Sequence, residues 1–150
     1  MRLFTAVEID EKNRKKIAAV QEHFKGSSFK GSFVRKDNFH ITLKFLGETD
    51  AQMIKRICFA MDSAVKKIPC FKVSAGTPGY FKRRDGLIIW LGINSGSEEI
   101  WTISSNLNEE LFKTGFKKED IPFTPHITLA RRVKLRKSFD IVSENISCSK

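Results

Sequence analysis

The chain contains the same tetrapeptide twice. His40-Ile41-Thr42-Leu43 returns as His126-Ile127-Thr128-Leu129, more than half the chain length further on. At average residue usage, three matching residues after a second histidine arise by chance roughly once in a few thousand trials. The repeat is too long for a solenoid unit and occurs only twice, so we interpret it as an old duplication that gives two similar lobes.

Each copy of the tetrapeptide predicts a strand with two different faces. Side chains alternate along a strand, so His40 and Thr42 project from one face while Ile41 and Leu43 project from the other. The second copy repeats this arrangement. We expect the apolar pair to anchor each strand on the core. If two such lobes face each other, two imidazoles and two hydroxyls converge on a shared cleft.

Two imidazoles in one cleft suit general acid–base chemistry. Free imidazole has a pKa of about 6.5, so one ring can be neutral and the other protonated near neutral pH. Threonine hydroxyls can donate hydrogen bonds to phosphate oxygens. The sequence shows no set of carboxylates around either histidine that could bridge metal ions. The pattern therefore favours metal-independent phosphoryl transfer, in which one histidine activates water and the other protonates the departing oxygen.

The cysteines do not predict a metal or disulfide site. Cys58, Cys70 and Cys148 are irregularly spaced and have no histidine partner nearby, which is typical of a reduced protein with free thiols. His23, beside Phe24 on a predicted helix, is expected to be structural.

The pattern of the whole chain predicts an α+β fold with a mainly antiparallel sheet, because a hairpin joins two strands in mid-chain. The predicted strands are Leu3–Ile9, Phe33–Arg35, Phe39–Leu46, Phe71–Ala75, Leu87–Ile93 and His126–Arg131. The predicted helices are Glu11–Lys25 capped by Asp10, a helix from Thr49 or Asp50 to about Ile68, Ser97–Lys113, and a short one at Phe139–Val142. A loop is predicted over 26–32, a turn at Thr77-Pro78-Gly79, and a basic hairpin loop over Phe81–Gly86.

Charge narrows the class of partner. The chain has 27 Lys and Arg against 17 Asp and Glu, a net charge of +10. This balance favours a polyanion, with nucleic acid as the leading candidate, although a lysine-rich surface also serves solubility alone. The N-terminus has no secretory pattern and no apolar run approaches the ~20 residues of a membrane span, so we expect a cytoplasmic protein.

With these residues established, the chain resembles the 2H phosphoesterase superfamily. Within it, the chain is similar to the LigT-like RNA 2′,3′-cyclic phosphodiesterases, also called the 2′-5′ RNA ligase family. The family signature is a pair of His-x-Thr-x motifs. The first continues here as His40-Ile41-Thr42-Leu43-Lys44-Phe45-Leu46-Gly47, and the second reads Pro125-His126-Ile127-Thr128-Leu129-Ala130-Arg131. The opening Arg2–Val7 is also similar to the start of the family.

The resemblance implies a bilobal α+β fold with pseudo-twofold symmetry and a central cleft, a single domain over residues 1–150. It implies that a 2′,3′-cyclic phosphate at an RNA end is opened to a 2′-phosphomonoester without a cofactor. His40 is then the proton donor and His126 the proton acceptor. The residues implied to hold the phosphate are Thr42, Thr128 and Arg131.

The resemblance also suggests where RNA would lie. Phe45 is a candidate for contact with the terminal nucleotide, and a core role for it is equally open. Five basic residues are candidates for guiding the RNA backbone or are plain surface: Lys36, Lys82, Arg83, Arg84 and Arg132. RNA ends, tRNA fragments among them, are the expected partners of a monomeric enzyme.

Some alternatives stay open. Family members usually run on beyond the point where this chain stops, so we expect one lobe to lack its C-terminal strands. An RNA-end-binding module without turnover is one other function. A phosphodiesterase for small cyclic nucleotides or 2′-5′-linked oligonucleotides is another. Ligation, which the family name implies, is not assigned as the physiological role.

Overall fold

The computed structural model describes residues 1–119 and 123–144. Its strands and helices, in chain order, are β1 (Arg2–Glu8), α1 (Glu11–Gly26), β2 (Ser28–Phe33), β3 (His40–Glu48), α2 (Ile54–Val65), β4 (Ala75–Arg83), β5 (Gly86–Ile93), α3 (Ser97–Phe112), β6 (His126–Leu135) and α4 (Phe139–Glu144). The pairs β2–β6, β3–β6, β4–β5 and β5–β6 are antiparallel. The predicted α+β class with a mainly antiparallel sheet is confirmed.

The chain divides into two compact units. Unit 1 combines residues 1–7, 42–73 and 95–125, and unit 2 combines residues 8–41, 74–94 and 126–150. The boundary between them falls inside the first tetrapeptide, between Ile41 and Thr42. Unit 2 therefore contains the first two residues of β3 and the whole of β6.

Unit 1 is built around two helices and two strands. β1 lies beside β3 in the sheet, and α2 packs against α3. The buried apolar side chains of this unit are Leu43, Ile57, Ala60, Ala64, Ile100, Ile103, Leu107 and Leu111. Burial of these side chains supplies the main stabilisation of the unit.

Unit 2 holds α1 against its strands and against α4. Asp10 caps α1 by accepting a hydrogen bond from the Asn13 backbone N–H (2.9 Å), and this bond lowers the pKa of Asp10. At the other end of α1, Phe24 stacks on Phe139 of α4 with ring centroids 5.6 Å apart. His23 Nε2 lies 2.9 Å from the Val142 carbonyl oxygen, a contact within the fold that agrees with the structural role expected of this histidine.

One predicted loop, one predicted strand and one predicted turn are wrong. β2 occupies Ser28–Phe33, where a loop was predicted, because this segment pairs with β6. β4 begins at Ala75, so the strand predicted at Phe71–Ala75 does not form. The turn predicted at Thr77-Pro78-Gly79 lies inside β4, where a register shift before Pro78 lets the ladder accept proline.

The predicted bounds of the second helix also need correction. α2 follows a single 3₁₀ turn at Ala51–Met53 and ends at Val65, short of Ile68. Its buried face is Ile57, Ala60 and Ala64, at the helical spacing i, i+3 and i+7. Four large apolar side chains of α2 and α3 are exposed: Ile54, Phe59, Val65 and Phe112. Phe59 and Val65 lie outside the narrow buried face that Ile57, Ala60 and Ala64 form.

Within residues 1–119 and 123–144, no helix is both long and apolar enough to cross a bilayer. Pro122 and the third cysteine, Cys148, lie outside the described residues. Cys58 and Cys70 are exposed free thiols.

Candidate active site

The two motif strands share one burial pattern. Over their first six residues, β3 and β6 both run half-buried, buried, half-buried, buried, buried, exposed. The histidines and threonines are half-buried, and the four apolar residues between them are buried, as predicted. The alternation then breaks, because the fifth residues, Lys44 and Ala130, are buried as well. The sixth residues, Phe45 and Arg131, are exposed as a result.

Unit 2 brings the starts of both motif strands side by side. Ile41 of β3 pairs with Ile127 of β6 in antiparallel register. Continued by one residue, this register sets His40 opposite Thr128, on the half-exposed side of the strands. His126, Thr128 and Arg131 all belong to unit 2, as does His40. Thr42 and Phe45 belong to unit 1.

The His40 ring is oriented by the backbone just before it. Nδ1 lies 2.6 Å from the carbonyl oxygen of Asn38, the last residue of a 3₁₀ turn at Lys36–Asn38. A carbonyl oxygen can only accept, so Nδ1 carries the hydrogen in this bond. Nε2 is therefore the nitrogen whose protonation can change.

Aromatic rings surround His126. The Phe81 ring meets the imidazole edge-on at 5.6 Å, and the Trp90 ring lies 5.9 Å away. These two rings also touch each other, with centroids 5.3 Å apart. The indole Nε1 of Trp90 is buried and has no hydrogen-bond partner within the described part of the chain. The imidazole of the second motif histidine thus packs against one aromatic ring from β4 and one from β5.

A buried glutamine, which sequence reasoning missed, supports β6 directly after Thr128. Gln21 of α1 is 6% exposed, and its Nε2 donates to the carbonyls of Val34 (2.6 Å) and Leu129 (2.9 Å). Unit 1 has a counterpart, because buried Ser104 donates to the carbonyl of Leu43 (3.1 Å). The available signal was a polar residue on the buried face of an amphipathic helix, four residues after Ile17.

Unit 1 carries an exposed aromatic pair and a buried ammonium on β3. Phe45 is 65% exposed, and its ring lies 6.1 Å from that of half-exposed Phe4. This exposure rules out the core role that was left open for Phe45. Lys44 is only 3% exposed and donates to Asn108 Oδ1 (2.5 Å) and the Lys117 carbonyl (2.8 Å). Burial lowers the pKa of Lys44, against the opposing effect of the Glu119 carboxylate.

The basic candidates differ in what they contact. Lys36 forms an ion pair with Glu11 (3.0 Å), which lowers the pKa of that carboxyl. The Arg83 guanidinium lies over the Phe81 ring at 5.3 Å, and Arg132 Nη2 donates to Ser32 Oγ (2.9 Å). Lys82 and Arg84 are exposed. Among the residues that the structure describes, no cluster of three His, Cys, Asp or Glu side chains could hold a metal ion.

Comparison with known proteins gives a consistent result. A family model described as LigT like Phosphoesterase matches residues 7–90, more than half of the chain. A Methanocaldococcus jannaschii protein named RNA 2′,3′-cyclic phosphodiesterase is 38% identical over 133 residues, which cover 87% of this chain and 71% of that protein. A Thermotoga maritima protein of the same name is 33% identical over 132 residues, covering 87% and 70%.

Solved structures show the same likeness. A crystal structure of a Thermus thermophilus protein has a TM-score of 0.74 and 26% identity, covering 88% of this chain and 74% of the other. Escherichia coli LigT complexed with 3′-AMP has a TM-score of 0.70 and 25% identity, covering 92% and 76%.

Proposed function

The chain belongs to the LigT-like phosphoesterase family, and from this premise we propose that it hydrolyses 2′,3′-cyclic phosphate ends of RNA to 2′-phosphomonoesters. The names of its curated relatives support the reaction, and a net charge of +10 suits an RNA substrate. The observation that carries the proposal is the pairing of Ile41 with Ile127. This pairing brings two histidine-bearing strand starts together in one unit.

The proposed reaction is a metal-independent in-line displacement. His126 accepts a proton from water as the water oxygen bonds to phosphorus. The bond from phosphorus to O3′ breaks, and His40 Nε2 gives its proton to the departing oxygen. The products are a 2′-phosphomonoester and a free 3′-hydroxyl, and proton exchange with solvent resets the two rings. Because the Asn38 carbonyl accepts from Nδ1–H, the hydrogen on Nδ1 stays in place and Nε2 of the protonated ring is the nitrogen that gives up its proton.

The phosphate would be held by the threonines and one arginine. Thr128 follows His126 by two residues on the same strand face, and Thr42 follows His40 in the same way. Arg131 is exposed and offers a planar donor pair that suits phosphate oxygens. Phe45, exposed beside Phe4, would stack on a nucleotide base. We propose that RNA fragments in the cytoplasm, those of tRNA included, are the substrates of the monomer.

Ring opening of a short RNA with a 2′,3′-cyclic phosphate end, with chelator present, tests the proposal. His40→Asn keeps an N–H donor for the Asn38 carbonyl but has no Nε2, so we expect turnover to fall by roughly 10²-fold or more with little loss of stability. His126→Ala should cost at least as much. The matched control is His23→Gln, whose amide can still donate to the Val142 carbonyl and should leave turnover near wild type.

A sulfur-substituted substrate separates the two proton-transfer roles. When sulfur replaces the 3′ bridging oxygen, the leaving thiolate needs no proton. This substrate should restore turnover to His40→Asn but not to His126→Ala. Unchanged turnover in both histidine variants would overturn the mechanism. Salt-dependent RNA binding without product would indicate an RNA-end-binding module. Equal kcat/KM for a small cyclic nucleotide and for RNA would indicate that small cyclic nucleotides, rather than RNA ends, are the substrate class.

A further inference from the structure

β6 changes face between Thr128 and Arg131. Against β5, Trp90 pairs with Thr128 but Ile89 pairs with Ala130, so β6 uses one extra residue at this step. In a regular strand, Arg131 would share the buried face of Ile127, because the two are separated by an even number of positions. The extra residue reverses this. Leu129 and Ala130 are both buried, and Arg131 is exposed on the side of Thr128.

A second irregularity follows at once. Val133 pairs with Leu87, which requires another extra residue in β6 between Ala130 and Val133. Arg132 takes up this residue in a left-handed conformation, with φ at +54°. Such a backbone costs a non-glycine residue about 1 kcal/mol or more, so the surrounding structure must enforce it.

Groups on three neighbouring elements enforce this conformation. Gly86 approaches so closely that a Cβ there would lie 2.7 Å from the Arg132 carbonyl carbon. Ser32 Oγ accepts from the Arg132 guanidinium (2.9 Å). The Leu129 carbonyl, directly before the first extra residue, accepts from Val34 N (2.9 Å) and from Gln21 Nε2 (2.9 Å). Of the two donors to the Leu129 carbonyl, Val34 uses its backbone N–H and Gln21 uses its side chain. Gln21 can therefore be replaced without changing a residue of the strands.

We infer that Gln21 is a positioning residue that acts through this bulge on Arg131. By holding the Leu129 carbonyl, it fixes the point where β6 switches face and so keeps the Arg131 guanidinium on the side of His126 and Thr128. The inference rests on the proposed function, in which Arg131 binds the substrate phosphate. Gln21 itself makes no contact with substrate in the proposed arrangement.

A double-mutant cycle tests the coupling, with inorganic phosphate as the probe and calorimetry as the readout. Arg131→Ala should weaken phosphate binding by roughly tenfold or more, the value of a charge-assisted hydrogen bond. Gln21→Met keeps the length of the side chain but removes its donor, and should weaken binding by a similar factor. The double variant should then bind phosphate only slightly more weakly than Gln21→Met alone. The matched control is Ser104→Ala, the corresponding donor of unit 1, whose effect should combine additively with Arg131→Ala.

A second pair of variants tests the backbone of the bulge without changing Gln21. If Gln21→Met does not fold, this pair tests by itself whether the bulge positions Arg131. Arg132→Gly and Arg132→Val remove the same guanidinium, but only glycine accepts a positive φ without strain. Arg132→Gly should bind phosphate roughly tenfold more tightly than Arg132→Val. Equal affinities of this pair, or additivity between Gln21→Met and Arg131→Ala, would overturn the inference. If Arg131→Ala alone leaves phosphate binding unchanged, the proposed role of Arg131 fails and the inference falls with it.

Discussion

Gly79→Ala should damage the candidate site from a position that bears no functional group. Gly79 of β4 pairs with Trp90 of β5, and the indole lies flat over it. A Cβ at this position would lie 2.2 Å from Cη2 and 2.3 Å from Cζ2 of the Trp90 ring. Ordinary carbon–carbon contact begins near 3.5 Å, so the ring has to move by roughly 1.3 Å.

The displacement passes directly to His126. The Trp90 ring lies 5.9 Å from the imidazole, and Phe81 touches both rings. Overpacking of this kind costs about 1–3 kcal/mol in the free energy of unfolding. A misplacement of about 1 Å in a catalytic group can cost on the order of 10²-fold in rate. We therefore expect Gly79→Ala to lower both stability and turnover.

Two measurements and one control variant check this expectation. Urea unfolding gives the stability, and ring opening of a 2′,3′-cyclic phosphate gives the rate. Trp90 fluorescence, measured in a Trp101→Phe background, reports the movement of the indole. The control is Gly26→Ala in α1 of the same unit, where a Cβ meets nothing within 4 Å, so stability should hold or rise by less than about 1 kcal/mol. Wild-type stability and turnover in Gly79→Ala would refute the reasoning, and lost stability with wild-type turnover would show that Trp90 does not position His126.

Two further predictions concern unit 1. Burial holds the folded-state pKa of Lys44 below its ordinary value of 10.5. At a pH between the folded-state pKa and 10.5, the unfolded chain binds more protons than the folded chain, so the free energy of unfolding rises with pH. Urea unfolding from pH 7 to 10.5 should therefore show wild type gaining stability relative to Lys44→Met, and a constant difference would contradict this. Phe45→Ala should raise KM for an RNA end roughly tenfold by loss of stacking. The control is Phe59→Ala, at an exposed phenylalanine on α2, which should leave KM unchanged. Equal effects of the two substitutions on KM would refute the stacking role.

The duplicated tetrapeptide predicted the most about this molecule because its signal is local. Alternation within four residues correctly placed Ile41 and Ile127 in the core and the histidines on the half-buried side. Helices whose apolar spacing is regular were predicted almost to the residue, as α3 shows. These properties depend on neighbours along the chain, which a sequence displays directly.

The incorrect predictions concern segments whose structure is determined by partners that are distant in the sequence. Thr77-Pro78-Gly79 has turn chemistry, yet pairing with β5 draws it into a strand, and Gly79 serves to admit the Trp90 ring. Ser28–Phe33 has no strong strand pattern and forms a strand because β6 offers it a partner. The role of Gln21 was equally hidden, because its acceptor at Leu129 lies 108 residues away.

The bulge in β6 sets the spacing along the chain between His126 and Arg131. His126 and Arg131 are five positions apart, an odd offset, yet both lie toward the open side of one strand. A perfectly regular strand permits only even offsets between residues that share a side. An offset of five between two residues that share a side therefore marks one inserted residue in the strand. Deletion of one residue from the Leu129–Ala130 step would restore regular alternation at an offset of four and leave the guanidinium on the side of His126, whereas a strand that kept every residue and lost the bulge would turn the guanidinium into the core.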